Sequence, residues 1–410
     1  MPGRTLRVST IPTIVAIVLS VGMGTAVQAG EGRHRLKQTH DGNIVVDDVL
    51  YHSWADYTAS DFFRINGKRC GTVPSHQQGP GLRGGGVGDC TYTFTNPDPI
   101  YDPSVVKYRI PVVVHVIRHD NGVTGHVSES TIHSQIDILN QDFLALVGSN
   151  GQNGTDIQIE FTLATTDPLG APTNGITYTD NTTWFDDIGP YWNTLAWDTN
   201  LYLNVYTNNA GGDLGYVPDL PQGGIVGWNG DRIVILWAAF GPDAPVGPPF
   251  NQGRSLTHEV GHYLGLDHTF ASGCGNPFSC YTSGDLICDT NPQALPTSGC
   301  SDAHSCSGPD PFHNYMDYSN DLCLEEFTPE QARRMRCSLE HYRPILFDIV
   351  NPTGDCNGDG QVQPGDVSCF VAVLLGLDGD PNHATASDIN ADGETNALDI
   401  QPFVNLLLSP

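Results

Sequence analysis

His258-Glu259-Val260-Gly261-His262-Tyr263-Leu264-Gly265-Leu266-Asp267-His268 decides how the rest of the chain is read. His258 and His262 are four residues apart, so on a helix their side chains lie one above the other on the same face. Two imidazoles so placed can both reach one Zn²⁺ at about 2.0–2.1 Å. Glu259 falls beside them, where a carboxylate can take a proton from water. Gly265 permits a positive φ, which stops the helix and lets the chain turn back. That turn offers His268 as a third ligand. Three protein ligands leave one position open, as in catalytic zinc sites, whereas structural sites close with four. Asp267 reads as a solvated neighbour. A surface helix with scattered histidines is the bland alternative, and the spacing of the glycine and third histidine argues against it.

Downstream lies Asn314-Tyr315-Met316-Asp317-Tyr318. After a long zinc motif, a Met in a tight turn beneath the metal is the metzincin pattern. The stretches HEVGHYLGLDHTF, DLICDTNP and HNYMDYSNDLCLEEFTPEQARRM together resemble the pappalysin family of metzincins, over residues 251–337 and outward to about 105. The resemblance implies an α+β catalytic domain, a twisted mixed sheet with an active-site helix, and a zinc-dependent endopeptidase. In that reading His258, His262 and His268 hold zinc and Glu259 is the general base and acid. Tyr318 assists at the oxyanion, and Met316 is structural. Asp321 matches the floor of the S1′ pocket, which implies cleavage N-terminal to Arg or Lys. Asp285 and Thr290 match a structural calcium site. The family's interleaved disulfides map best onto Cys280–Cys306 and Cys300–Cys323, with Cys274 able to replace Cys280. Arg69-Cys70-Gly71-Thr72 resembles the family's pro-region motif, in which a thiolate closes the open zinc position and holds the enzyme latent.

The chain outside the motif fits an exported protein. Arg4 and Arg7 precede an apolar run at 11–21 that is too short to span a bilayer, and Val27-Gln28-Ala29 is a small-residue cleavage site. Residues 1–29 therefore read as a signal peptide and the product as secreted, extracellular or surface-associated. A net charge of −28 argues against nucleic-acid or anionic-membrane partners and suits calcium binding. Eleven cysteines in an exported chain read as disulfides with at least one thiol left over. Cys70 is either that thiol or the partner of Cys90. Cys90, Cys288 and Cys337 have no assigned partner, and Cys356 can pair locally with Cys369.

Residues 30–104 are polar and weakly periodic and read as a pro-segment, with processing near the Gly-rich 79–88 stretch, for instance at Arg83. The resemblance implies a peptidase domain over residues 105–350. The β-branched run at 105–118 predicts a central strand, with His115 packed. Ser128 caps a predicted helix to about Phe143, and strands follow at 157–165, 200–206 and 232–237. The strand before the active-site helix is expected to form the edge that pairs with substrate. Thr328-Pro329-Glu330-Gln331 is a capping box for a last helix to about His341, with Arg333, Arg334 and Arg336 on a solvated face.

Residues 351–410 carry a twofold repeat spaced by 33. Asp355, Asn357, Asp359, Gln361 and Asp366 align with Asp388, Asn390, Asp392, Glu394 and Asp399. Oxygen ligands at loop positions 1, 3, 5 and 12, a backbone carbonyl at 7 and Gly at 6 make two calcium loops. Asp at position 12 and one helix per loop resemble a dockerin, which implies a small α-helical module and a cohesin-like partner. The rival reading is a non-catalytic adhesion or scaffold protein that uses both modules for binding. An intact Glu259 argues against it.

Overall fold

The computed structural model describes residues 36–408 except 40, 67, 74–89, 91–98, 104–106, 277, 351, 359 and 391. The signal peptide, Arg83 and Asp359 lie outside the described residues.

The polar N-terminal stretch carries more structure than its weak periodicity predicts. β1 (Leu36–Gln38), β2 (Ile44–Val46) and β3 (Val49–Tyr51) form an antiparallel meander. Two short helices follow, α1 (Trp54–Thr58) and α2 (Asp61–Ile65), N-capped by Ser53 and Ser60.

β4 (Lys107–Arg118) is the long central strand. After α3 (Glu129–Phe143), capped by Ser128 as expected, come β5 (Ile159–Leu163) and β6 (Ile176–Asp180). Two single turns, α4 (Thr182–Phe185) and α5 (Trp192–Leu195), lead to β7 (Leu203–Asn208), β8 (Gly215–Tyr216) and β9 (Ile233–Leu236). β5, β6 and β7 all pair parallel to β4, and β9 extends β7 in the same sense. β8 is antiparallel and closes one edge, in the order β4-β7-β9-β8. The strand before the active-site helix, β9, is therefore internal. The edge is β8, only two residues long and without a readable alternation.

Period-2 alternation splits the sheet into two cores. Ile110, Val112, Val114 and Val116 of β4, with Ile233 and Ile235 of β9, face Ile132, Ile136, Leu139 and Phe143 of α3 and Leu256 and Val260 beyond it. Tyr206, Val234 and Leu236 face the other way, against Trp54, Tyr57 and Phe63. The N-terminal aromatics thus plug the second core, each fully buried side chain contributing about 1.5–3 kcal/mol.

α6 (Arg254–Tyr263) carries the first two histidines, and α7 (Pro329–Tyr342) starts with the expected capping box. The solvated arginine face is not observed. Arg336 is fully buried over the Tyr108 ring and donates to Ile157 O, and Arg334 is buried and donates to Gly265 O. Only Arg333 stays partly exposed. Guanidinium forks satisfy orphan carbonyls here, which a helical-wheel reading of charge cannot anticipate.

β10 (Asp348–Val350) returns antiparallel to the start of β4. Beyond it α8 (Val367–Leu374), α9 (Pro381–Ser387) and α10 (Ile400–Leu407) form the C-terminal module, one helix more than the repeat predicts. Its small core centres on the stacked rings of Phe370 and Phe403, 4.1 Å apart.

Candidate active site

Every residue of α6 is buried, which is where a water-excluding metal centre needs its ligands. The helix ends in a Schellman motif: Gly265 at φ 95° donates to His262 O, and Leu266 donates to Gly261 O. The turn swings His268 back as expected. Three Nε2 atoms then converge, His262 to His258 at 3.2 Å and to His268 at 3.0 Å. The Cys70 thiol joins them, its Sγ 3.6 Å from His262 Nε2. Four donors around one tetrahedral zinc stand about 3.3–3.6 Å apart, so this donor set fits the ion. His258 Nδ1 donates to Tyr315 O and His262 Nδ1 to Leu266 O, which leaves each Nε2 lone pair facing the centre. Burial pushes all three imidazoles below their ordinary range, so they are neutral and ligand-ready. Asp267 is buried here and not solvated.

Met316 lies directly beneath the helix. A Cβ on Gly261 would come within 2.4 Å of its sulfur, which explains why that helical position is a glycine. Glu259 is buried beside the histidines. One carboxylate oxygen accepts from Thr72 Oγ1 at 3.1 Å, and the Cys70 thiol also lies against this carboxyl. Burial pushes this carboxyl up to about 8, and a dication among the imidazoles would pull it back down. Tyr318 packs edge-on against His268, and its hydroxyl donates to Cys70 O.

Cys70 is a free thiol, and Cys90 pairs with Cys337, which resolves the sequence alternatives. The segment around it fills the cleft. Arg69 reaches Asp321 at 2.9 Å, both side chains buried, while Asp321 also accepts from Gln252 N. Lys68 reaches Asp213 at 2.9 Å. Leu214 N donates to Lys68 O, Gly71 N to Gly215 O, and Val217 N to Thr72 Oγ1. The segment therefore ascends alongside β8 in the same direction. A side chain at position 71 would run into the Asp213 carboxylate at 2.2 Å, so only glycine passes there.

Two features escape sequence reading. Asp142 of α3, fully buried, accepts from Thr257 Oγ1 at 2.6 Å and from Tyr315 OH at 2.8 Å, and Tyr315 O in turn holds His258. Asp213 and Thr72 are the other pair. No local motif marks Asp142 or Asp213, and the motif that contains Thr72 does not announce its contact with Glu259, because each acquires its partner only through the fold.

Asp285 and Thr290 are brought together, Thr290 Oγ1 donating to Asp285 at 2.7 Å, and burial pushes the Asp285 carboxyl up to about 7. The loop crosslinks run Cys274–Cys306, Cys280–Cys288 and Cys300–Cys323. The family-derived Cys280–Cys306 pair is therefore replaced by Cys274–Cys306, because Cys280 closes a short loop with Cys288. Cys356 pairs with Cys369.

In the C-terminal loops Asp366 accepts from Asn357 N and Gln363 N, and Asp399 accepts from Ile389 N, Asn390 N and Asn396 N. Asp355 and Asp388 accept from Gly360 N and Gly393 N, the position-6 glycines at φ 85° and 87°. Asn390 and Asp392 face each other at the exposed rim of the second loop, and Asp392 also accepts from Glu394 N. Asn357 and Gln361 fall between Asp355 and Asp366 in the first loop's sequence.

Residues 191–340 match the family model described as pregnancy-associated plasma protein-A, peptidase M43, and residues 353–408 match the dockerin type I domain. The chain is 34% identical to an extracellular metalloprotease of Podospora anserina over 59% of this chain and 77% of the relative. It is 35% identical to an extracellular metalloprotease of Colletotrichum graminicola over 57% and 77%. Among solved structures it resembles a point mutant of Tannerella forsythia promirolysin, with 33% identity, TM-score 0.51, and coverage of 60% of this chain and 86% of that one. Mirolysin in complex with a compound is similar too, at 33% identity, TM-score 0.50, and coverage of 59% and 94%.

Proposed function

This chain belongs to the pappalysin (peptidase M43) family of metalloproteases, and we propose that it is made latent, held by the Arg69-Cys70 segment, and released to cut peptide bonds N-terminal to Arg or Lys. It is a zinc metalloendopeptidase with a C-terminal dockerin type I module of the calcium-binding kind. In the proposed organisation residues 1–29 are removed on export, 30–104 are the pro-segment, 105–350 the peptidase and 351–410 the dockerin. The observation that carries the reading is the placement of two consecutive residues, Cys70 against the three histidines and Arg69 against Asp321.

His258, His262 and His268 would hold the zinc. When bound, the ion supplies Lewis acidity that polarises the scissile carbonyl and acidifies water. Glu259 takes the proton released from water and delivers it to the leaving amine, and its buried setting keeps bulk water from competing for that proton. Tyr318, once Cys70 leaves, turns its hydroxyl from Cys70 O to the developing oxyanion. Asp321 fixes a basic P1′ side chain by a charge-assisted pair, as it does Arg69 here. Met316 supports the triad from below. Asp285 and Thr290 supply oxygens for a calcium in the disulfide-rich loop. Asp355, Asn357, Asp359, Gln361 and Asp366, with Asp388, Asn390, Asp392, Glu394 and Asp399, hold two more in the dockerin, which docks the enzyme on a cohesin-type partner.

Latency is tested with the full chain, its Cys70→Ala variant and its Arg69→Ala variant on a quenched peptide containing Arg at P1′. The wild type is expected to be silent and Cys70→Ala active without processing. A wild-type precursor as active as the variants would refute latency. Asp321→Ala on a peptide library separately tests P1′ recognition, which fails if the basic preference persists.

A further inference from the structure

His268 lies outside α6, so its place depends on what holds the turn that follows the helix. The next residue, Thr269, makes two bonds to other parts of the chain. Thr269 N donates to Met316 O at 3.3 Å, and Thr269 Oγ1 donates to Gln293 Oε1 at 2.6 Å. Gln293 reaches on with its other end. Its Nε2 donates to Asp317 Oδ1 at 3.0 Å and to Thr297 Oγ1 at 3.0 Å. Asp317 sits between Met316 and Tyr318 in the sequence. One amide therefore ties the neighbour of the third histidine to the neighbour of both the methionine and the tyrosine.

The chemistry of an amide suits this place. An ionised Asp317 carboxylate can only accept, so Nε2 faces it and Oε1 is left for the Thr269 hydroxyl. A glutamate here would set a second carboxylate against Asp317, and an apolar side chain would supply neither bond. Gln293, Thr269 and Asp317 are all buried, so a lost bond leaves a polar group unpaired away from water. Asp317 also accepts from Thr297 N at 3.0 Å and from Ser319 Oγ at 3.2 Å, which hold it independently of Gln293.

Gln293 belongs to the disulfide-rich loop. It falls inside the span closed by Cys274–Cys306, and Cys300–Cys323 joins the following stretch to the chain just beyond Tyr318. A long loop with little regular structure needs crosslinks to hold one conformation. His268 and Tyr318 already meet ring to ring, edge-on with centroids 5.0 Å apart. The Gln293 amide joins the same two turns a second time.

We infer that Gln293 is a positioning residue of the metal centre: it locks the turn that carries His268 to the turn that carries Met316 and Tyr318, so that the disulfide-rich loop works as an outer support of the zinc ligands. The inference rests on the peptidase reading, with zinc on His258, His262 and His268.

The test uses the full chain and zinc alone, with affinity read by competition with a chromophoric chelator. Gln293→Met keeps a long side chain and removes both polar ends. It is expected to lower zinc affinity about 10–100-fold, with amide-exchange protection in β4 and α3 as in the wild type. Thr269→Val removes the other end of the same bond and is expected to lose a similar factor. The double variant is expected to lose no more than the larger single loss, because both changes break one link. Thr297→Val cuts the amide's contact within its own loop and is expected to lose less than either. Unchanged affinity in a folded Gln293→Met overturns the inference, as does a double variant whose two losses multiply. Where Gln293→Met loses β4 protection, Thr269→Val decides alone, and unchanged affinity there overturns the inference. A wild-type affinity that His268→Ala leaves unmoved refutes the metal-site reading itself, and the inference with it.

Discussion

The candidate metal centre at α6 and the candidate ion loops of the C-terminal module solve the same problem in opposite ways. At α6 the donors come from residues 70, 258, 262 and 268, every one buried, with two imidazoles oriented by backbone carbonyls and a methionine packed beneath. The scaffold there is expected to persist without its ion. In the C-terminal module the oxygen donors come from two contiguous loops, and the apolar core is four buried residues with a few packed on it. There the ions are expected to complete the scaffold. A site assembled from distant parts needs a large core to hold it, and a site written in twelve consecutive residues does not.

The sharpest way to break this contrast is to remove each metal. Stripping zinc with a chelator selective for it is expected to abolish peptidase activity, at least about 10³-fold, while amide exchange protection in β4 and α6 survives. Stripping calcium is expected to remove protection from α8 and α10. Loss of β4 protection on zinc removal, or intact α8 and α10 without calcium, would reverse the assignment of which site supports which structure. The Phe370–Phe403 stack is the next test. Phe403→Ala costs about 3–5 kcal/mol in a well-packed core, more than so small a module can spare, so calorimetry should lose the calcium-dependent transition and keep the catalytic one. Asp142→Asn probes the other side. It weakens the link from α3 through Tyr315 to His258, so zinc affinity, read by competition with a chromophoric chelator, is expected to fall about 10–100-fold with the catalytic transition retained. An unchanged affinity would make Asp142 a purely structural residue.

His115 offers the smallest effect. It is buried between Thr177 and Asn204, and burial pushes its imidazole down to about 4. Between the ordinary value near 6.5 and 4 the unfolded chain binds a proton that the folded chain refuses, so stability present above pH 6.5 is lost as pH falls through this window. His115→Gln is expected to flatten the acid limb of catalytic-domain stability over that range and leave the C-terminal transition untouched.

The same contrast explains what was legible. The gathering of His258, His262 and His268 beside Glu259 was legible because their spacing is local and each position has one physical job; Met316 was read from its place after that motif, and the two C-terminal loops from their repeat. α3, β4 and α7 were readable from periodicity and caps. The edge at β8 was not, because two residues carry no alternation. Arg334 and Arg336 looked like a solvated face because charge normally seeks water, and only the fold reveals the carbonyls at Ile157 and Gly265 that receive them. Trp54, Tyr57 and Phe63 sat in a stretch too polar on average to suggest a core, yet three aromatics suffice to anchor it. Asp142 and Asp213 had no sequence signal at all, since their partners lie 115 and 145 residues away.

The most direct test of the central claim is digestion of an unfolded protein by the processed enzyme with zinc and calcium, beside Glu259→Ala, with every cleavage site read by mass spectrometry. Cuts N-terminal to Arg or Lys that vanish in the variant are the predicted result. Cleavage that persists in Glu259→Ala, or none from folded, zinc-loaded and processed protein, would contradict it.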